Sequence, residues 1–248
     1  MLACIVQARL GSSRLPNKIL LPFYEGKSVL EILLTKISAH FPSLKLIVAT
    51  TVSLSDQPIV DLCEKLQVSC FKGDEADVLS RFIDAAEAFQ VEKIIRICSD
   101  NPLLNLMALQ ELIQISASSA ASYVSFKTSA GTPTIKTHYG LWAEYVTVEA
   151  LKQVKQLTQE SLYREHVTNY IYANSNVFST YLAPIAKQIE QYPQLRMTLD
   201  TKADFELLQQ IYAEIPNFDG SPEQLIEKIA ANEEWLQIMH KQIIQNEK

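Results

Sequence analysis

A chain of 248 residues with 48% apolar content holds enough material for one substantial core, and the expectation is a single domain over residues 1–248. The 22 basic residues are outnumbered by 28 acidic ones, leaving a net charge of -6, which argues against a nucleic-acid partner and makes any anion site local. No apolar stretch approaches the roughly 20 residues of a membrane span, MLACIVQARLG lacks the layout of a signal peptide, and the four cysteines form no CxxC pair. A cytoplasmic protein with reduced core thiols and no membrane partner is therefore expected.

In chain order, ACIVQ at 3–7 is the first predicted strand, followed by the loop QARLGSSRLPNK at 7–18 and a helix over 28–40 with Val29, Leu33 and Ile37 on one stripe. LKLIVAT at 44–50, VSCFK at 68–72 and KIIRIC at 93–98 predict three more strands, with amphipathic helices over 56–66 and 75–89 between them. This alternation implies parallel pairing through right-handed crossovers. Asn105 caps a predicted helix running to about Ser116, and the alternation then breaks. The stretch 122–146 mixes β-branched and aromatic residues with Gly131 and Pro133; it reads as strands joined by a long loop, a candidate insertion or dimerisation arm. Its Tyr123, Phe126, Tyr139, Trp142 and Tyr145 either anchor an interface or pack inside the same chain. Helices at about 147–157 and 161–172, strands at 178–185 and 196–200, and helices over 202–214 and 222–245 complete the reading.

Ligands of an open parallel sheet bind beyond the carboxyl ends of its strands, which directs attention to three segments. The first loop gathers Arg9, Arg14 and Lys18 around Gly11, Ser12 and Ser13, so cations and accessible backbone N–H groups can meet a triphosphate there. It is neither GxxxxGK[ST] nor GxGxxG, and its place after the first strand favours a phosphate site over a merely solvated basic loop. In IIRICSDNPLL, 94–104, Asp100 lies just past a strand and either binds Mg²⁺ or makes an Asx turn. In RMTLDTKADFELL, 196–208, Asp200 ends a predicted strand and is either a second metal ligand or a helix cap. Two strand-end aspartates for a metal and three cations for phosphate form a consistent set.

These segments resemble the cytidylyltransferases that activate 3-deoxy-manno-octulosonate and acylneuraminates, most nearly the spore-coat polysaccharide biosynthesis protein F branch. QARLGSSRLPNKIL at 7–20 parallels that branch's QARxGSxRLPGKxL, and GDEADVLSRF at 73–82, RICSDNPLL at 96–104, YREHVTNYI at 163–171 and LRMTLDTKADFELL at 195–208 follow in order. The resemblance implies a Rossmann-like, glycosyltransferase-A-type α/β fold, with a mostly parallel central sheet sandwiched by helices. It also implies a homodimer and a Mg²⁺-dependent reaction in which an acidic or deoxy sugar's anomeric hydroxyl attacks the α-phosphate of CTP, releasing pyrophosphate. Carried over, Gln7, Arg9, Gly11, Ser12, Arg14 and Lys18 would hold the nucleotide, with Arg81 near it. Asp100 and Asp200 would hold Mg²⁺ and, with Arg9 and Lys18, form the catalytic set; Arg164, Glu165 and His166 would face the sugar. Taken alone, His166 is either a base or a packed residue, Glu165 either faces the sugar or is solvated, and Arg164 either clamps a carboxylate or makes a surface ion pair. Another nucleotide or acceptor, or a non-catalytic nucleotide-binding module, are the alternatives. Asn17 departs from the branch's usual Gly, and Ser99 and Asn101 stand where Gly and Cys are frequent.

Overall fold

The computed structural model describes residues 1–246. In chain order the first half contains β1 (Leu2–Gln7), the short strands β2 (Pro22–Tyr24) and β3 (Lys27–Ser28), α1 (Val29–His40), β4 (Lys45–Thr51), α2 (Gln57–Lys65), β5 (Ser69–Gly73), α3 (Val78–Ala88) and β6 (Lys93–Cys98). It continues with α4 (Leu106–Ser118), β7 (Tyr123–Lys127), β8 (Glu144–Thr147), α5 (Val148–Leu157), α6 (Ser161–Glu165), α7 (Asn169–Ala173), β9 (Thr180–Pro184), α8 (Lys202–Glu214), α9 (Pro222–Ala230) and α10 (Glu233–Asn246).

The sheet runs β5-β4-β1-β6-β8-β7-β9. Its first four strands are parallel, as their near-continuous apolar runs require when both faces are covered. β8 lies antiparallel to both β6 and β7, and β9 is parallel to β7. One face buries Cys4 and Val6 against Leu30, Leu34 and Ile37 of α1, Leu109 and Leu112 of α4, and Leu208 and Ile211 of α8. The other buries Ala3, Ile5 and Ile47 against Phe82, Ala85 and Ala86 of α3 and Leu151 and Val154 of α5. The register sets Gln7 opposite both Ala49 and Cys98, so the loops leaving β1, β4 and β6 rise from one level.

Several boundaries differ from expectation. The stretch 196–200 is not a strand: Met197 N–H donates to the carbonyl of His138 at 2.8 Å and Leu199 N–H to that of Asp100 at 2.9 Å, so its backbone is bonded to loops and not to a ladder. The helix expected over 161–172 is broken at 166–168, where Thr168 turns its hydroxyl inward to Glu144. The C-terminal helix divides at Asn232, whose side chain accepts from Trp235 N–H and starts α10. The 122–146 segment supplies two strands from within the sheet, and its five rings are all buried in the same chain, so they offer no exposed interface anchor. The β2–β3 hairpin escaped the sequence reading; its turn sets Glu25 and Gly26 both at positive φ, the geometry a two-residue hairpin loop requires. Phe23 of this hairpin meets Phe205 and Tyr212 of α8 edge-on, both at 5.5 Å between ring centres.

Gly140 holds the loop before β8 against the segment bearing Asp200. Its φ is +62°, and a Cβ there would stand 2.9 Å from the Met197 carbonyl oxygen and 3.2 Å from Asn101 Oδ1. Gly140→Ala is expected to destabilise the protein by about 2 kcal/mol or more, through left-handed strain and the backbone clash together. Urea denaturation measures this, and an unchanged midpoint would contradict it.

Candidate active site

The loop leaving β1 is anchored from below. Leu10 N–H donates to Asp56 Oδ1 at 2.8 Å, while Asp56 Oδ2 accepts from Thr51 Oγ1 at 2.6 Å, Thr51 N–H at 3.3 Å and Thr50 Oγ1 at 3.2 Å. Asp56 is buried, so one carboxylate ties the loop to the end of β4. Asn17 sits at φ 58°, in the left-handed region that asparagine tolerates better than most residues, so it supplies the turn that a glycine would otherwise be needed for. Lys18 is thereby carried under the loop.

Lys18 Nζ lies 3.1 Å from Asp100 Oδ2 and 3.2 Å from Asp200 Oδ1, and it also donates to the Leu199 carbonyl. Burial alone would lower its pKa, but the two carboxylates hold it above the usual lysine value. The Asp200 carboxylate is further approached by Arg196 at 3.3 Å and Arg14 at 3.7 Å. Thr201, not Asp200, caps α8, in a capping box with Asp204. Asp204 accepts a bidentate pair from the buried Arg196 at 2.7 and 2.9 Å, and Arg196 Nη1 reaches His138 Nδ1 at 3.0 Å. Burial would raise the Asp204 carboxyl, but Arg196 and the backbone N–H groups of Thr201 and Asp200 hold it below the usual aspartate value.

Asp100 and Asp200 therefore converge on one cation position. Among the described residues no group of three or more His, Cys, Asp or Glu gathers as a complete metal cage. Two carboxylates fit Mg²⁺, which completes its octahedron with water and substrate oxygens.

A cleft of about 620 Å³ opens over this point, and ten of the twelve residues singled out from the sequence line it. Gln7, Arg9, Gly11, Ser12, Arg14 and Lys18 form its basic wall; Asp100, Asp200, Glu165 and His166 lie across it, with Arg9 and Glu165 paired at 3.7 Å. The two outside are Arg81 and Arg164. Arg81 is fully buried and donates to the Asp74 carbonyl at 2.8 Å, while its Nε and Nη2 have no hydrogen-bond partner. Burial first, and then the charge of Arg9, holds its pKa below the usual arginine value. Arg164 turns away from the cleft to Asp77, the cap of α3, at 3.0 Å and to Gln159 at 2.7 Å, fastening α6 to α3.

The cleft floor was not anticipated. Arg96, from the middle of β6, pairs with buried Glu144 and donates from Nη2 to Gln7 Oε1 at 3.2 Å. Glu144 also accepts from Tyr123 Oη at 2.5 Å and Thr168 Oγ1 at 2.8 Å. Since a guanidinium only donates, it fixes the Gln7 amide with oxygen toward Arg96 and leaves the NH₂ for the cleft. Tyr172, also in the wall, is pushed up to about 12 by burial and by Glu144, so it remains a neutral phenol. The available signal was an arginine interrupting the apolar run that follows Lys93 in KIIRIC. Glu144→Gln, which strands Arg96 in the core, is expected to cost about 3 kcal/mol or more by chemical denaturation. A loss under about 1 kcal/mol would show that the pair is not the organiser of the floor.

Comparison with known proteins agrees with this architecture. Residues 3–235 match the family model described as Cytidylyltransferase. The uncharacterized protein MJ1063 of Methanocaldococcus jannaschii is 34% identical over 228 residues, 92% of this chain and 90% of the relative. The spore coat polysaccharide biosynthesis protein SpsF of Bacillus subtilis is 30% identical over 213 residues, covering 84% and 85% of the two chains. A cytidylyltransferase structure from Leptospira borgpetersenii superposes with a TM-score of 0.82 at 25% identity, over 95% of this chain and 96% of the other. With the family model spanning nearly the whole chain and the cleft lying at the carboxyl ends of its parallel strands, the protein belongs to the cytidylyltransferase family.

Proposed function

We propose that this protein transfers CMP from CTP to the anomeric hydroxyl of an acidic or deoxy sugar, releasing pyrophosphate, as a cytoplasmic step of surface polysaccharide biosynthesis. The observation that carries the reading is the meeting of Asp100 and Asp200 at Lys18 beneath a loop bearing Arg9 and Arg14, all within one cleft. The cytidyl donor is supported by the family, and the polysaccharide setting by the spore coat protein of Bacillus subtilis.

In this reading Arg9, Arg14 and the loop around Gly11 and Ser12 grip the triphosphate oxygens, while Gln7 offers its amide N–H groups. Asp100 and Asp200 would hold Mg²⁺, which when bound neutralises charge on the phosphate oxygens and the departing pyrophosphate. The sugar oxygen forms a bond to the α-phosphorus as the bond to the β-phosphate oxygen breaks, so no covalent enzyme intermediate is required. Glu165 and His166 stand in the cleft wall expected to face the sugar, while Arg81, buried outside the cleft, holds the Asp74 carbonyl. Among the described residues no helix is long and apolar enough to cross a membrane. A homodimer belongs to the same proposal, built on surface other than the five buried rings; light scattering that finds only monomer at micromolar concentration would remove it.

The decisive assay measures pyrophosphate release from each ribonucleoside triphosphate with Mg²⁺, against a panel of 3-deoxy sugar acids and simple sugar phosphates. Release with CTP and one acid is expected, falling by about 100-fold or more in Asp100→Asn and in Asp200→Asn. Normal turnover in both variants would refute the metal assignment, release with another triphosphate would replace CTP, and silence across the panel with CTP still bound would favour a binding module.

A further inference from the structure

The two carboxylates assigned to the metal already share a cation. Lys18 Nζ bridges Asp100 and Asp200 and is anchored a third time by the Leu199 carbonyl, with only 12% of its side chain exposed. Arg14 and Arg196 lie on Asp200, and Arg196 also grips Asp204. Three carboxylates thus face three cations, and the side chains of the cluster balance one another in charge. A free divalent ion would have to enter beside an ammonium that already contacts one oxygen of each carboxylate. A triphosphate changes the balance, because its oxygens are competing acceptors for Lys18 and Arg14 and its negative charge compensates the incoming metal.

We infer that Lys18 is an internal counter-cation: it holds Asp100 and Asp200 together before nucleotide arrives, and the metal is admitted only as the triphosphate draws the ammonium off the carboxylates. Lys18 is in this sense a positioning residue for the carboxylate pair, in addition to any contact with phosphate. The inference rests on the reading of Asp100 and Asp200 as the metal carboxylates. It sets an order of assembly in which metal and nucleotide enter as one complex and the nucleotide-free protein is nearly blind to the free ion. The arrangement also keeps two facing carboxylates from repelling one another while the site waits.

The test titrates Mn²⁺ into nucleotide-free protein and follows the free ion by electron paramagnetic resonance. Wild type and Lys18→Arg, which keeps a cation between the carboxylates, are expected to bind weakly, in the millimolar range. Lys18→Met is expected to bind at least about tenfold more tightly, the scale set by removing one unit charge from contact in a water-accessible site. Adding Asp100→Asn to Lys18→Met should abolish the gain. Submillimolar binding by the wild type that Asp100→Asn removes would overturn the exchange while leaving the metal assignment standing, and it needs no lysine variant to fold. Equally weak binding in wild type and a folded Lys18→Met would overturn the exchange as well. A gain in Lys18→Met that survives both Asp100→Asn and Asp200→Asn would overturn the carboxylate assignment itself.

Discussion

Two ionised carboxylates brought to one point repel unless a positive charge lies between them, and the organisation of this cleft follows from that constraint. Asp100 comes from the end of β6, Asp200 from an extended segment before α8, and the lysine between them from the loop after β1. Three remote parts of the chain are therefore pinned at one point. Each has its own support: Asp56 beneath the loop, the α8 capping box behind Asp200, and the Leu199-to-Asp100 backbone bond joining the two aspartate segments.

The sheet makes this meeting possible. Parallel β1, β4 and β6 deliver their carboxyl ends to one level, and antiparallel β8 brings Glu144 beside Arg96 from the opposite direction. The consequence is a buried polar network of Arg96, Glu144, Tyr123 and Thr168 under an otherwise apolar strand pair. Such a network is tolerated because Glu144 has a partner for each oxygen, and its reach to Gln7 turns a core ion pair into part of the ligand wall. On the other side, Arg196 links Asp204 and Asp200 to His138, two residues beyond Lys136 in the cleft lining.

Much of this was legible in the sequence, for reasons that also explain the failures. The central parallel strands are continuous apolar runs separated by amphipathic helices, a pattern that periodicity reads well, and the basic loop and both aspartates fall at strand or segment ends where ligands gather. The stretch 196–200 misled because its alternation is that of a strand, yet its hydrogen bonds go to His138 and Asp100, and no local pattern records that choice. Arg164 stood in a matching motif but faces Asp77, a tertiary partner 87 positions away in the chain. Lys18 was expected among phosphate ligands; that it bridges the aspartates could be known only once the loop and both segments were folded together.

Asn17 carries a consequence of a different kind. At φ 58° it occupies a backbone region that glycine enters freely and most residues avoid, so the folded turn is the same with either side chain. The unfolded turn is not the same. An asparagine there restricts the number of conformations the free loop can sample, so less entropy is lost when Lys18 is brought beneath it. The saving is offset by the cost of entering the left-handed region, which asparagine visits less readily than glycine, so the turn's stability is a difference between a smaller unfolded ensemble and a less favourable folded φ.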